Sequence, residues 1–442
     1  MFGYYLDLAW RSLKHSKVLT ALMVLAIAVG IGASMTTLTV MHLLSGDPLP
    51  GRSGSIFYAQ IDATPPLSPN HHDEPPDMLD DRSAVDLWRA HRADRQTLVV
   101  ESPVKIAAQD VQQPPSMGML LSSTADFFTM FDVPFQYGGP WSADDDMRHS
   151  RVAVISADLN DKLFGGADSV GRILRLRDAD VRIVGVMKPW RPTPQFYSVV
   201  GGRFSHGQTA DYYAKPQDVY TPFFTGLDIN DGHFEQFNCW SPPKVAGHLV
   251  GAGCVWIGLW VELDSAAKVR AYRAFLADYA AQQKAAGRIG HADNTRLRDL
   301  MSWLQFNQVV PSDVRVQTWL ALSFLVICLC NTVGLLLVKF LRRGGEIGIR
   351  RALGASRRQI FLQCLMEAGA IGVLGGAGGW LLTLLGLEWV RAQPVAYADL
   401  AHMDTAMFGA TFLLALLVSL AAGAVPALHA SRIAPALQLK TL

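Results

Sequence analysis

Four runs of apolar residues limit what this chain can become more than any motif in it. Residues 18–44 pass without one Asp, Glu, Lys or Arg, as do 317–338 and 405–428. The run 361–390 is interrupted only by Glu367 and Glu388, near its ends. A hydrocarbon core of roughly 30 Å needs about 20 helical residues, so each run can span a bilayer. Each must span as a helix, because a lone strand in lipid leaves its backbone groups unpaired. Four buried helices of a large soluble core are the alternative, but core helices seldom run this long without a charge. The first run reads as an uncleaved anchor rather than a signal peptide. It is 27 residues long and ends in Met41-His42-Leu43-Leu44, whereas a signal h-region has ~7–15 residues and a small-residue cleavage site.

Basic residues then orient the chain. Arg11, Lys14 and Lys17 precede the first span. Lys339, Arg342, Arg343, Arg350, Arg351, Arg357 and Arg358 separate the second from the third, and Arg432 and Lys440 follow the fourth. The loop 391–404 sets Arg391 against Asp399 and Asp404. Lys/Arg-rich segments stay inside, so both termini and the 339–360 loop are predicted to be cytoplasmic and 45–316 external. Residues 45–316 carry 32 acidic against 26 basic side chains. That balance excludes a nucleic-acid binder, which would gather positive charge on its polar domain. The predicted order is a cytoplasmic amphipathic helix (1–17), a first span (18–44), an external α/β domain (45–316) and a second span (317–338). A cytoplasmic loop (339–360), a third span (361–390), a short external loop (391–404), a fourth span (405–428) and a tail (429–442) follow.

The external domain opens with a Pro-rich loop to about residue 82. Its His71-His72-Asp73-Glu74 cluster is loop surface, since four adjacent residues between prolines cannot all turn towards one ion. Beyond it the pattern alternates, and the length allows two packed lobes. Strands are predicted at 97–100, 104–108, 151–155, 172–176, 181–186 and 255–263, the last with Trp256 and Trp260 on one face. Helices are predicted at 122–131, at 157–164 closed by Gly165-Gly166, and at 266–285. In the last, Ser265 is the cap and Val269, Tyr272, Leu276 and Tyr279 form a stripe lying on a sheet. Cys239 and Cys254 either bridge, in an oxidising compartment, or stay two separate buried thiols. Cys328, Cys330 and Cys364 lie in the membrane runs. No nucleophile–base–acid set, metal-ligand spacing or Gly-rich phosphate loop stands out, so no catalytic residue, cofactor or metal is assigned to this chain.

Two further patterns bear on function. The third span carries two Gly-x-x-x-Gly pairs, Gly372/Gly376 and Gly375/Gly379, and the first span has a flat patch at Gly30 and Gly32. Such surfaces let helices approach closely, so both are predicted to face protein, within the subunit or across a dimer. The 339–360 loop is too charged to enter lipid. Ile347, Ile349, Leu353 and Ile360 can lie along an interface while its arginines face water or lipid headgroups. Gly354 lets one short helix turn into the next. Glu346, the only acid between 339 and 359, pairs either with Arg350 one helical turn later or with an arginine of a partner.

The stretch Glu346-Ile347-Gly348-Ile349-Arg350-Arg351-Ala352-Leu353-Gly354-Ala355 resembles the signature of the FtsX-like permease domain in MacB-type ABC transporters. Residues 151–186, with VAVIS, LFGG, SVGRILRL and VRIVGVM, resemble that family's periplasmic core domain, and 123–142 the segment before it. Residues 8–20 resemble its amphipathic N-terminal helix and 426–439 its usual tail. The resemblance implies a dimer with a second permease, either the same chain or a paralogue, in a bacterial inner membrane. It also implies an ABC ATPase that binds ATP and Mg and docks on Glu346, Ile347, Gly348, Arg350, Arg351, Leu353 and Gly354. A periplasmic adaptor and an outer-membrane duct would complete the path, with membrane lipids around the spans. Only seventeen residues precede the first span, so the ATPase is expected as a separate subunit and this chain is not expected to be an enzyme. Residues 187–254 follow no family pattern, and substrate or partner preference is expected there.

Export of periplasmic substrates is therefore the leading expectation. A lipoprotein-release permease, or a complex that transmits force to a periplasmic enzyme or sensor without transport, would share the architecture. Orientation is tested directly by fusing a reporter that is active only outside the cytoplasm. It should be active after Gly54 or Gly290 and silent after Gly345; activity at Gly345 would invert the topology.

Overall fold

A computed structural model describes residues 12–13, 16–66, 73–108, 114–205, 210–403 and 405–432. Arg11, Lys14, most of the 1–17 helix, His71, His72, Asp404 and the tail beyond 432 with Lys440 lie outside the described residues. The chain divides into two compact units, Met1–Ser45 with Val310–Leu442, and Gly46–Val309.

The helical unit begins with α1 (Lys17–Ser45). The polar unit then runs β1 (Ile56–Ile61), α2 (Asp81–Arg89), β2 (Arg95–Ala108), β3 (Ser116–Ser123), α3 (Asp126–Met130), β4 (Phe135–Gly138) and α4 (Ala143–Met147). Next come β5 (Val152–Ile155), α5 (Ala157–Phe164), β6 (Ile173–Leu176), β7 (Ala179–Met187), β8 (Val219–Pro222) and α6 (Phe223–Asn230). It closes with β9 (Asn238–Cys239), β10 (Cys254–Val255), β11 (Gly258–Glu262), α7 (Ala266–Ala285), β12 (Thr295–Asp299) and α8 (Leu300–Phe306). The helical unit resumes with α9 (Ser312–Arg342), α10 (Gly344–Ala352), α11 (Arg357–Arg391) and α12 (Thr405–Ser431). By length and composition α1, α9, α11 and α12 can each cross a membrane.

One sheet organises the polar unit, in the order β12-β1-β11-β2-β3-β8-β5-β7-β4, with β6 paired to β2 and β7. The β3–β8 and β5–β7 pairs are parallel and the others antiparallel. Among the described residues two apolar cores lie on the sheet, beside a buried aromatic cluster around Phe131 and Trp260. One gathers Trp88, Leu98, Phe223, Trp256, Tyr272 and Leu276; the other gathers Val104, Leu120, Ile155, Leu174 and Ile183. Helix α7 starts from the Ser265 cap and buries Tyr272, Leu276 and Tyr279. Gly165 closes α5 in a left-handed conformation, which a residue without Cβ adopts at no steric cost.

Three local expectations are corrected. The strands predicted at 97–100 and 104–108 are one strand, β2, running through Pro103. The Pro103 carbonyl accepts from Arg177 and Asn230 rather than from β3. In a strand the N and O of one residue point the same way, so the missing N–H is not subtracted from the β2–β3 ladder. The helix predicted at 122–131 is only α3, because Ser122 and Ser123 complete β3 opposite Val100 and Val99. The strand predicted at 255–263 breaks after Val255, and Trp256 and Trp260 do not share a face. Trp256 packs on Phe234, whereas Trp260 meets Tyr58 and Phe196. Cys239 and Cys254 sit opposite each other on β9 and β10 and are joined by a disulfide.

In the helical unit the glycines are contact points. Gly372 and Gly376 of α11 face Ser419 and Ala415 of α12, and Gly375 and Gly379 face Ile27 and Ile31 of α1. The two Gly-x-x-x-Gly pairs, offset by roughly 60° around the helix, therefore serve two neighbours. Gly32 lies against Leu382 of α11, and Gly30 against Leu325 and Cys328 of α9. A Cβ on Gly376 would stand 2.8 Å from the Ala415 Cβ, while no described atom lies within 4 Å of one on Gly409. Gly376→Leu should thus lower stability by about 1–3 kcal/mol through overpacking, read as a lower thermal midpoint in detergent, and Gly409→Leu should not.

Candidate functional site

Three helical segments meet where the charge pattern changes, and each brings polar side chains one turn apart. Lys339 lies in the last turn of α9 and Arg343 is its C-cap; α10 carries Glu346 and Arg350; α11 carries Gln363 and Glu367. The i, i+4 spacing stacks each pair on one helix face. Together they form a continuous ladder. Lys339 Nζ is 2.5 Å from Glu367 Oε1, and the two side chains are only 2% and 3% exposed. Arg343 Nη1 reaches Glu367 Oε2 at 3.3 Å, and its Nη2 reaches Glu346 Oε2 at 2.9 Å. Arg350 Nη2 is 2.8 Å from the other Glu346 oxygen, and its Nη1 donates to Gln363 at 3.1 Å. Ser12 donates to Glu367 and accepts from Arg343 at 2.5 Å.

Glu346 is thus paired with Arg350, one of its two expected partners, and with Arg343 as well. Ile347 and Gly348 are buried on the inner side of α10. Arg351 reaches the Ser431 carbonyl at 3.5 Å. Leu353, 84% exposed, and the exposed Ile349 point away from the core. Gly354 turns the chain at φ +102°, and no described atom lies within 4 Å of a Cβ built on it. Ser356 and Gln359 then form a reciprocal cap that starts α11, which fixes where the loop ends and the span begins. Residue reasoning on the loop alone missed Glu367, Lys339, Gln363 and Ser12. Glu367 stood in the sequence as an interruption of an apolar run. A carboxylate there is costly unless paired, which was the available signal.

Desolvation shifts the pKa of two carboxyl groups of the polar unit towards neutral pH. Glu101 accepts from Ser198 and Gln217, and burial pushes its pKa up to about 7. Asp146 accepts from the Ala125 N–H at 2.7 Å and Trp141 Nε1 at 2.8 Å, and burial likewise pushes it up to about 7. Glu101 ties the loops at Ser198 and Gln217 to β2, and Asp146 ties α4 to the segments at Ala125 and Trp141. Among the described residues no group of His, Cys, Asp and Glu could hold a metal ion.

Comparison with known proteins bears on the whole chain. The family described as a MacB-like periplasmic core domain matches residues 20–277, and the FtsX-like permease C-terminal domain matches 319–435. The "Macrolide export ATP-binding/permease protein MacB" of Escherichia coli (strain K12) is 23% identical over 405 residues, 87% of this chain and 52% of that protein. The protein of the same name from Azoarcus sp. (strain BH72) is 25% identical over 69% of this chain and 40% of its own length. The chain therefore spans about half, or less, of these curated relatives. The crystal structure of the periplasmic region of MacB from Actinobacillus actinomycetemcomitans aligns with 59% of this chain and 96% of its own, at 12% identity and a TM-score of 0.36.

The ladder makes a sharp stability prediction. Glu367→Gln leaves the Lys339 ammonium buried without a counter-charge and should cost about 3–5 kcal/mol. The double variant Lys339→Met/Glu367→Leu should recover most of that loss. A double-mutant cycle on unfolding of the full chain in detergent measures both; additive losses would mean the two side chains do not act as a pair.

Proposed function

The chain belongs to the MacB-like, FtsX-like family of ABC transporter permeases, and from that premise we propose that it is the membrane subunit of an ATP-driven complex that expels substrates from the periplasm. In this reading the polar unit lies in the periplasm, and both termini and α10 lie on the cytoplasmic side of the bacterial inner membrane. A separate ATPase subunit binds ATP and Mg and docks on α10, and a second permease completes the membrane dimer. A periplasmic adaptor and an outer-membrane duct carry the substrate onward.

The charge ladder is the observation that carries the proposal. The exposed Leu353 and Ile349 offer an apolar contact to the ATPase. Behind them, Glu346 and Arg350 tie α10 to Arg343 at the end of α9 and to Gln363 of α11. A push on α10 is passed to two spans through charge-assisted hydrogen bonds, which hold geometry better than neutral ones. Because α11 packs on both α1 and α12 through glycine contacts, its displacement moves its neighbours with it.

Leu353→Asp should abolish co-purification with the ATPase in mild detergent while leaving insertion intact. Glu346→Ala loses exposed pairs worth only about 0.3–0.5 kcal/mol to the fold. Together with Gly354→Leu, strained at its positive φ, it should still uncouple ATP hydrolysis from export. Normal ATPase binding and full export in all three variants would reduce the loop to an ordinary linker. An ATPase complex that retained a periplasmic hydrolase or a sensor kinase but no adaptor or duct would favour force transmission without transport.

A further inference from the structure

A cleft of about 820 Å³ opens within the polar unit, between the segments 73–78, 200–205 and 235–238. Two of these fall in the region 187–254 that matched no family pattern in the sequence. Its walls combine aromatic surface with acid. Phe204 is 70% exposed, and Phe237 is also open to solvent. The Arg203 guanidinium lies 4.3 Å from the Phe204 ring centroid and 4.4 Å from that of Phe306, so one face of Phe204 already receives a cation and much of the ring remains open.

The charges in the cleft are unevenly satisfied. Asp77 is paired with Arg203 and accepts from the Gly201 N–H at 2.6 Å. Glu74 is paired with Arg298 at 2.7 Å and with Arg296 at 3.5 Å, and Arg296 also donates to the Asp73 backbone carbonyl at 3.3 Å. The side-chain carboxylates of Asp73 and Glu235 make no ion pair among the described residues, which leaves two uncompensated acids beside the aromatic platforms. Behind the cleft, a void of about 20 Å³ shares Met78, Val200 and Gln236 with it. That void is bordered by Trp256, a residue only 2% exposed whose buried indole N–H meets no acceptor among the described residues. The Cys239–Cys254 disulfide clasps the hairpin that supplies Asn238 and Val255 to the wall, so the site is braced.

We propose that this cleft binds a flat aromatic cation, its ring laid on Phe204 and Phe237 and its positive charge set against Asp73 and Glu235. Ring faces carry negative potential and attract a cation as the carboxylates do, so both features select the same ligand charge. An anionic or neutral analogue of equal area gains only the stacking. The inference deepens the export reading by naming a ligand class, but binding needs no ATPase. Loss of binding would leave that reading standing, and failed ATPase coupling would leave the cleft standing.

The test uses the full chain in detergent micelles, with empty micelles as the blank, and fluorescence anisotropy of ethidium as the cationic probe and fluorescein as the anionic one. Ethidium should bind saturably and fluorescein should not. The double variant Asp73→Asn/Glu235→Gln should raise the ethidium Kd about fivefold, the size expected of partly exposed charge contacts. Phe237→Ala should raise it about tenfold. All three side chains are exposed, so thermal midpoints should stay at the wild-type value. An unchanged Kd in either variant, or fluorescein binding as tight as ethidium, overturns the proposal.

Discussion

In lipid, apolar helix surface gains almost nothing by exchanging lipid tails for another apolar helix, so the helical unit depends on how closely its backbones approach. The glycines of α11 meet that constraint at two faces, against Ile27 and Ile31 on one side and Ser419 and Ala415 on the other. Dispersion and carbonyl contacts accumulate where no Cβ intervenes. Several hydroxyl side chains in the spans are satisfied in the same confined space. Ser34 donates to the Ala321 carbonyl of α9 at 3.0 Å. Thr318, Thr332, Thr383 and Ser419 each donate back to the carbonyl four residues earlier, so no hydroxyl among these demands water.

The charge ladder answers the opposite problem. A buried lysine and glutamate are expensive to desolvate, and apolar residues of the same volume would often be as stable or more so. What the pair provides is position. Glu367 can satisfy Lys339, Arg343 and Ser12 together only when α9, α11 and the segment at Ser12 are in register. Glu346 and Arg350 extend that register to α10. A surface loop would transmit little, since an isolated exposed pair contributes only tenths of a kcal/mol. Tied to a buried pair, the same loop reports on the arrangement of the spans.

The polar unit is built on different physics. Its sheet buries both cores in water-driven packing, and its irregular segments are anchored by buried side chains rather than by ladder hydrogen bonds. Trp303 donates to the Val199 carbonyl at 3.0 Å, and Asn307 accepts from the Gly202 N–H at 3.1 Å. These contacts hold the start of the patternless 187–254 region to the end of the unit. That anchoring lets a stretch of loop and short 3-10 turns form one wall of the cleft.

The sequence alone determined the four helices, because apolar runs of bilayer length can cross lipid only as helices, and the helix 266–285, because a cap and a four-residue stripe leave little choice. It also carried the loop signature from Glu346 to Ala355 and the close-packing glycines, whose spacing is a property of one helix. It did not determine which neighbour each glycine meets, because a stripe states that something approaches and not what. Glu367 was visible as an oddity, yet its partners lie 24, 28 and 355 positions away, and only the packing of α11 against α9 brings them together. Likewise β2 passes through Pro103 because Arg177 and Asn230, distant in sequence, take up its carbonyl. The cleft has no local signature, since its aromatic and acidic walls come from three separated segments. Local periodicity fixed what depends on backbone hydrogen bonds and solvent, whereas contacts between segments far apart along the chain were decided only by the tertiary structure.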